Sequence, residues 1–182
     1  MKTIKNLVAA FSLKSEFAAR RNKLYRIAYS WCHDASLADD LVQETIYKAI
    51  RNAANLRDIG TIDTWLYRIL FNCWQDFLRV KGRNVEFIEI YDVNQQEQTD
   101  TYQQSQIVRR VRASIEQLPL PLREVVTLAD FAEFSYAEIA EIVGIPIGTV
   151  MSRLYRARQT LKQQLLDFGS DDITETKLRR VK

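Results

Sequence analysis

The chain has very few places at which a helix can stop. Its 182 residues hold only five glycines and three prolines. These fall at Gly60, Gly82, Pro119, Pro121, Gly144, Pro146, Gly148 and Gly169. Glycine and proline are the strongest local breakers, so long stretches without them favour uninterrupted helix. The remaining question is whether apolar residues recur at the helical period between the breaks.

They do. Phe17, Leu24, Ile27, Ala28 and Trp31 mark a first helix over Glu16 to Trp31, with 3.6-residue spacing. His33-Asp34-Ala35-Ser36 interrupts it, and Asp34 or Ser36 can cap the next helix. That second helix runs from about Leu37 to Asn52, with Leu41, Val42, Ile46, Ala49 and Ile50 facing inward. A polar connection, Asn55 to Asp63, leads to a third helix from about Thr64. It carries Trp65, Leu66, Ile69, Leu70, Cys73, Phe77 and Leu78, and ends in the basic cluster Arg79 to Arg83. Three such helices make one small bundle. From Asn84 to Gln106 the periodicity fails among glutamines and acids, as expected of a flexible linker. A second helical block follows from Ile107, broken at Leu118-Pro119-Leu120-Pro121. The fold expected is therefore all-α: two small helical domains, 14–83 and 107–168, an acidic linker over 84–106 and a mobile tail over 169–182.

Charge follows the same division. Lys and Arg outnumber Asp and Glu by 13 to 8 in residues 1–82, fall to 1 against 5 in 83–106, and stand at 8 to 7 in 107–168. Basic or neutral blocks thus flank an acidic bridge. Cys32 and Cys73 lack CxxC spacing and are expected as free thiols. The apolar run from Leu7 to Phe11 is too short for a signal sequence, and no stretch approaches a membrane span. A cytoplasmic protein without membrane insertion is expected.

The most informative segment is Ser135 to Val150. Ser135 and Glu138 form an S-x-x-E capping box, Gly144 can end the helix in the left-handed conformation, and a new helix begins near Pro146. Val150, Leu154, Ala157 and Leu161 form its buried stripe. At 100° per residue, Gly148, Thr149, Ser152, Tyr155, Arg156 and Gln159 then point outward, flanked by Arg153 and Arg158. From Ile145 to Leu166 there are four basic residues and no acid. A helix-turn-helix with such a second helix suits the DNA major groove. An ordinary helical pair with a solvated basic face is the plainer alternative. The coincidence of cap, glycine turn and acid-free helix favours DNA.

These residues resemble a known family, the extracytoplasmic-function (group IV) branch of the sigma-70 family. Leu118-Pro119 with Arg123-Glu124-Val125, then Ser135-Tyr136 and Glu138-Ile139-Ala140, then Gly148 to Arg158, are similar to its region 4 signature "LP…REV…S-Y-x-E-I-A…GTV-x-SRL-x-RAR". The resemblance implies that the second helix reads the promoter −35 element through Thr149, Met151, Ser152, Arg153, Tyr155, Arg156 and Arg158. Met151, Ser152, Tyr155 and Arg156 would face bases, and Arg153 and Arg158 would lie nearer the backbone. Met151 stands where the family frequently has a basic residue. Ala38 to Thr45 resembles region 2.2, "A-x-DLVQE(T/V)F", which implies that Asp40, Gln43 and Glu44 bind the β′ clamp of core RNA polymerase. Their i, i+3, i+4 spacing places them on one helix face. Thr64 to Ile69, Asn72 and Asp76 resemble the "WLYRI…N…D" pattern of the segment that melts the −10 element. The implied strand-contacting residues are Arg57, Thr61, Arg68 and Asn72.

The resemblance implies an alternative sigma factor that partners core polymerase and promoter DNA, under control of an anti-sigma factor, with no cofactor and no enzymatic activity. A conventional helix-turn-helix regulator that needs no polymerase is the competing reading. An enzyme is disfavoured by a single histidine, His33, and by the lack of a P-loop, nucleophile elbow or paired metal motif. The linker adds an expectation of its own. Joining two domains with exposed cationic faces at high effective concentration, it would let weak docking close the free protein on itself.

Overall fold

The structure, a computed structural model of the chain, describes residues 2–56, 58–83 and 102–178. Every regular element among them is helical: α1 (Lys2–Cys32), α2 (Ala35–Arg51), α3 (Ile62–Arg83), α4 (Tyr102–Glu116), α5 (Leu120–Asp130), α6 (Tyr136–Val143) and α7 (Ile147–Leu178), with short 3-10 turns at Ala53–Asn55 and Ile59–Thr61. Helices α1 to α3 form the first bundle and α4 to α7 the second. At both outer ends helix runs on beyond the expected limits. α1 starts at Lys2 rather than Glu16, and α7 continues to Leu178, past Gly169.

Local chemistry accounts for the boundaries. Asp34 rather than Ser36 caps α2, its carboxylate accepting from the Leu37 amide at 2.9 Å. His33, just before it, turns the corner in the left-handed region with φ of 52°. Asp58 tightens the turn before α3, accepting from the Gly60 amide at 2.8 Å and, through its carbonyl, from the Thr61 hydroxyl at 2.9 Å. Pro119 stands at the N-cap of α5. The Ser135–Glu138 capping box is complete in both directions, and Gly144 ends α6 with φ of 72°.

The core follows the expected stripes with one exchange. On α2 the inward face holds Ala38, Leu41, Val42, Thr45 and Ala49, whereas Ile50 is 40% exposed. Thr45 takes the buried place because its hydroxyl donates to the Leu41 carbonyl at 2.7 Å, satisfying itself within the helix. Cys32 and Cys73 are buried and free. On α7 the stripe Val150, Leu154 and Ala157 is buried as the spacing requires.

The two bundles do not stand apart. Their apolar residues form one continuous cluster, in which α1 meets α4 and α5 while α3 lies along α6. Trp31, 1% exposed, donates its indole N–H to the Thr127 hydroxyl at 2.9 Å. Tyr67 meets Phe134 edge to face at 4.9 Å between ring centres. Arg123 of α5 reaches across to donate to the Trp31 carbonyl at 3.2 Å.

Candidate nucleic-acid interface

Three surfaces carry the residues picked out in the sequence. The first is on α2, where Asp40, Gln43 and Glu44 are all exposed on the side opposite the buried stripe. Glu44 is paired with Lys48 at 3.4 Å, and Lys48 lies 3.9 Å from Asp76 of α3. Tyr47, 55% exposed, extends the same face under the Arg51 guanidinium, 5.5 Å above its ring. Tyr47 was missing from the sequence reading, although its place one turn beyond Gln43 and Glu44 could have signalled it.

The second surface is on α3. Thr61, Arg68 and Asn72 are exposed and follow one another at intervals of seven and four residues, so they share a face. Arg57 lies outside the described residues. This face is partly covered by α6. The Arg68 guanidinium stands 3.7 Å from the Glu141 carboxylate, and the Thr64 hydroxyl donates to Glu138 at 3.3 Å. Serine 135's hydroxyl and amide hold Glu138 below the usual carboxylate range, so it stays anionic.

The third surface is α7. Met151, Ser152, Tyr155 and Arg156 are exposed, and Thr149 and Arg153 are half-buried. Among the described residues, Arg156 donates to the Ser152 carbonyl one turn back, at 3.3 Å. Arg158 is committed elsewhere: it donates to Asp130 at 2.6 Å and to the Tyr136 hydroxyl at 3.4 Å, tying α7 to α5 and α6. Arg153 lies close enough to Glu124 to influence its charge.

Between the bundles sit polar groups that spacing alone could not reveal. Glu124, 4% exposed, accepts from the Trp74 indole at 3.0 Å and from Gln75 at 3.0 Å. Burial pushes its carboxyl above the usual range despite these donors. His33 faces the Arg123 guanidinium at 2.6 Å. Burial, with the Arg123 charge behind it, lowers the His33 imidazole to about 4, so it is neutral near pH 7 and can accept from Arg123.

Residues 17–84 match sigma-70 region 2, and residues 109–161 match sigma-70 region 4. The RNA polymerase sigma-H factor of Pseudomonas aeruginosa is 33% identical over 159 residues, covering 80% of this chain and 81% of that protein. The ECF RNA polymerase sigma factor EcfG of Rhodopseudomonas palustris is 33% identical over 170 residues, 88% of this chain and 92% of its own length. The chain belongs to the extracytoplasmic-function sigma factors of the sigma-70 family. Its fold is similar to the sigma factor RpoE of Bartonella quintana, seen in co-crystals with the anti-sigma factor NepR, with a TM-score of 0.73 and 28% identity over 85% of this chain and 96% of that one.

As a sigma factor the protein is a transcription initiation subunit that acts with RNA polymerase on promoter DNA inside the cell, and it is not an enzyme. Among the described residues no helix is long and apolar enough to cross a membrane. For such a subunit the chemistry required is recognition. An acidic helix face can meet a basic partner, one helix face can hold a separated DNA strand, and another can enter duplex DNA.

Proposed function

We propose that this sigma factor is closed when free, with region 4 lying over the −10 surface of region 2, and that core polymerase opens it. Region 2 spans 14–83 and region 4 spans 107–168, joined by the acidic linker 84–106 and followed by a tail from 169. Asp40, Gln43 and Glu44 dock on the β′ clamp. Arg57, Thr61, Arg68 and Asn72 handle the opened −10 strand, while the α7 face from Thr149 to Arg158 reads the −35 duplex. The work takes place in the cytoplasm, and an anti-sigma factor, of the kind bound to the Bartonella quintana relative, holds the closed form.

The observation that carries this reading is the position of two carboxylates. Glu138 and Glu141 of α6 rest against Thr64 and Arg68 of α3, where the phosphates of a melted strand would come. Acidic side chains substitute for DNA there, so the strand and α6 compete for one face. The α2 carboxylates stay exposed in the same state, leaving the polymerase a point of attachment before the domains part.

The reading is tested by fluorescence transfer between dyes on Asn52→Cys and Gln159→Cys, since the native thiols are buried. The free protein should give one narrow, short distance, and adding core enzyme should lengthen it. A distribution that is broad at low and high salt alike, and unmoved by core enzyme, would overturn the closed state.

A further inference from the structure

The exposed side of α7 is not uniform. Toward one edge lie Ser152 and Arg156, polar and open to solvent. Toward the other, Ile147, Met151 and Tyr155 succeed one another at intervals of four residues, and are 49%, 53% and 68% exposed. Large apolar side chains in such a row on a solvent face need a partner that repays their exposure. Beside them is a hollow of about 410 Å³, lined by Tyr136, Met151, Leu154, Tyr155, Arg158 and Gln159. Among the described residues that line it, the one cation, Arg158, is already held by Asp130 and the Tyr136 hydroxyl. This edge therefore lacks the free guanidinium that reads guanine in the major groove.

We propose that Met151 and the adjoining hollow read the 5-methyl group of a thymine, so that the −35 element of this protein is specified by a methyl contact at one edge of α7 and by hydrogen bonds from Arg156 and Ser152 at the other. The occupant is argued from charge and shape. The helix carries four basic residues and no acid from Ile145 to Leu166, which suits a polyanion rather than an apolar protein segment. In the major groove the thymine methyl is the one apolar feature a base edge presents. A thioether adapts its shape readily to such a group.

The inference rests on α7 being the −35 reader, and the experiment separates the two. Holoenzyme made from the full chain and core polymerase selects binders from templates with a pre-opened −10 bubble and a randomised −35 segment. Each thymine of the selected site is then replaced singly by deoxyuridine, which lacks only the methyl. At one or two neighbouring positions the loss should be about four-fold, the weight of one buried methyl group. Met151→Ala should reduce that loss to less than two-fold, Met151→Leu should keep it, and Met151→Arg should move the selected base toward guanine. Selection of a defined site in which no uracil matters, or in which Met151→Ala loses as much as the parent, overturns the methyl contact but leaves the −35 assignment standing. Selection without any sequence preference, unaffected by Arg156→Ala, removes that assignment and this inference with it.

Discussion

The two surfaces proposed to meet DNA, on α3 and on α7, differ in what covers them. On α3, Arg68 and Thr64 are met by the carboxylates of α6. On α7, among the described residues, Arg156 and Ser152 bond only to their own helix, and Met151 and Tyr155 lie bare. The difference matches what each face must handle. A face that grips single-stranded DNA would bind any exposed strand, because phosphate attraction and stacking discriminate little. A face that reads base edges in a duplex discriminates by itself. Under the proposed assignment, covering the indiscriminate face and leaving the selective one open would keep the free protein off wrong targets with the least masking.

The most damaging test of that contrast is at neither DNA face. Asp40→Ala, Gln43→Ala and Glu44→Ala together should weaken core binding roughly thirty-fold or more, by analogy with interface hot spots, while leaving the helical circular-dichroism signal unchanged. If core binding survives, the polymerase has no handle on the closed form. Next in size, Arg156→Ala should cost about 1–3 kcal/mol on the selected −35 duplex, in the free chain and in holoenzyme alike by fluorescence anisotropy. Arg153→Ala should weaken all sequences about equally. Arg68→Ala, by contrast, should be silent in the free chain and weaken forked −10 templates only in holoenzyme. A similar loss from Arg68→Ala in the free chain would show that α3 is not covered.

Acidity should separate the faces by a smaller margin. His33 is neutral in the closed form, with its pKa depressed to about 4 by burial and Arg123, and returns toward the ordinary 6.5 once the bundles part. The Glu116 carboxylate, 3.5 Å from the other ring nitrogen and half exposed, favours the charged form but does not cancel that depression. The open form therefore binds the proton first. The His33 contribution to closure is present above about pH 6.5 and falls by on the order of 1–2 kcal/mol as pH drops to 5, while Glu124, its carboxyl raised by burial in the closed form, works against that loss. Dye separation should lengthen over that range in the parent and much less in His33→Gln. Smallest of all, Glu141→Ala removes one exposed ion pair, worth about 0–1 kcal/mol, and should raise the free protein's affinity for single-stranded DNA by a few-fold at most.

What the sequence disclosed and what it withheld divide by range. The capping box at Ser135, the left-handed Gly144 and the buried stripe of α7 involve residues within one or two turns of each other, and each was legible as written. Asp34 could not be told from Ser36 because both are good caps two residues apart. Ile50 sat at a plausible inward spacing yet is 40% exposed, while Thr45 is buried with its hydroxyl bonded to its own helix. Arg158 looked free until Asp130, 28 residues away, came to meet it. The contacts between the bundles were beyond periodicity altogether: Trp31 and Thr127 are 96 positions apart. The family resemblance named the faces but not which of them was covered, since that depends on pairings no local pattern encodes.

The indole bonds across the domain boundary have an optical consequence. All three tryptophans of the chain, Trp31, Trp65 and Trp74, belong to region 2, and two of them send their N–H groups into region 4, to Thr127 and to Glu124. Parting the bundles would expose both indole N–H groups to water while Trp65, tilted against Phe17 at 6.1 Å, kept its surroundings. The native protein thus carries its own emission gauge. A red shift on meeting polymerase would mark opening in the unlabelled chain, and Trp65 would supply the internal baseline.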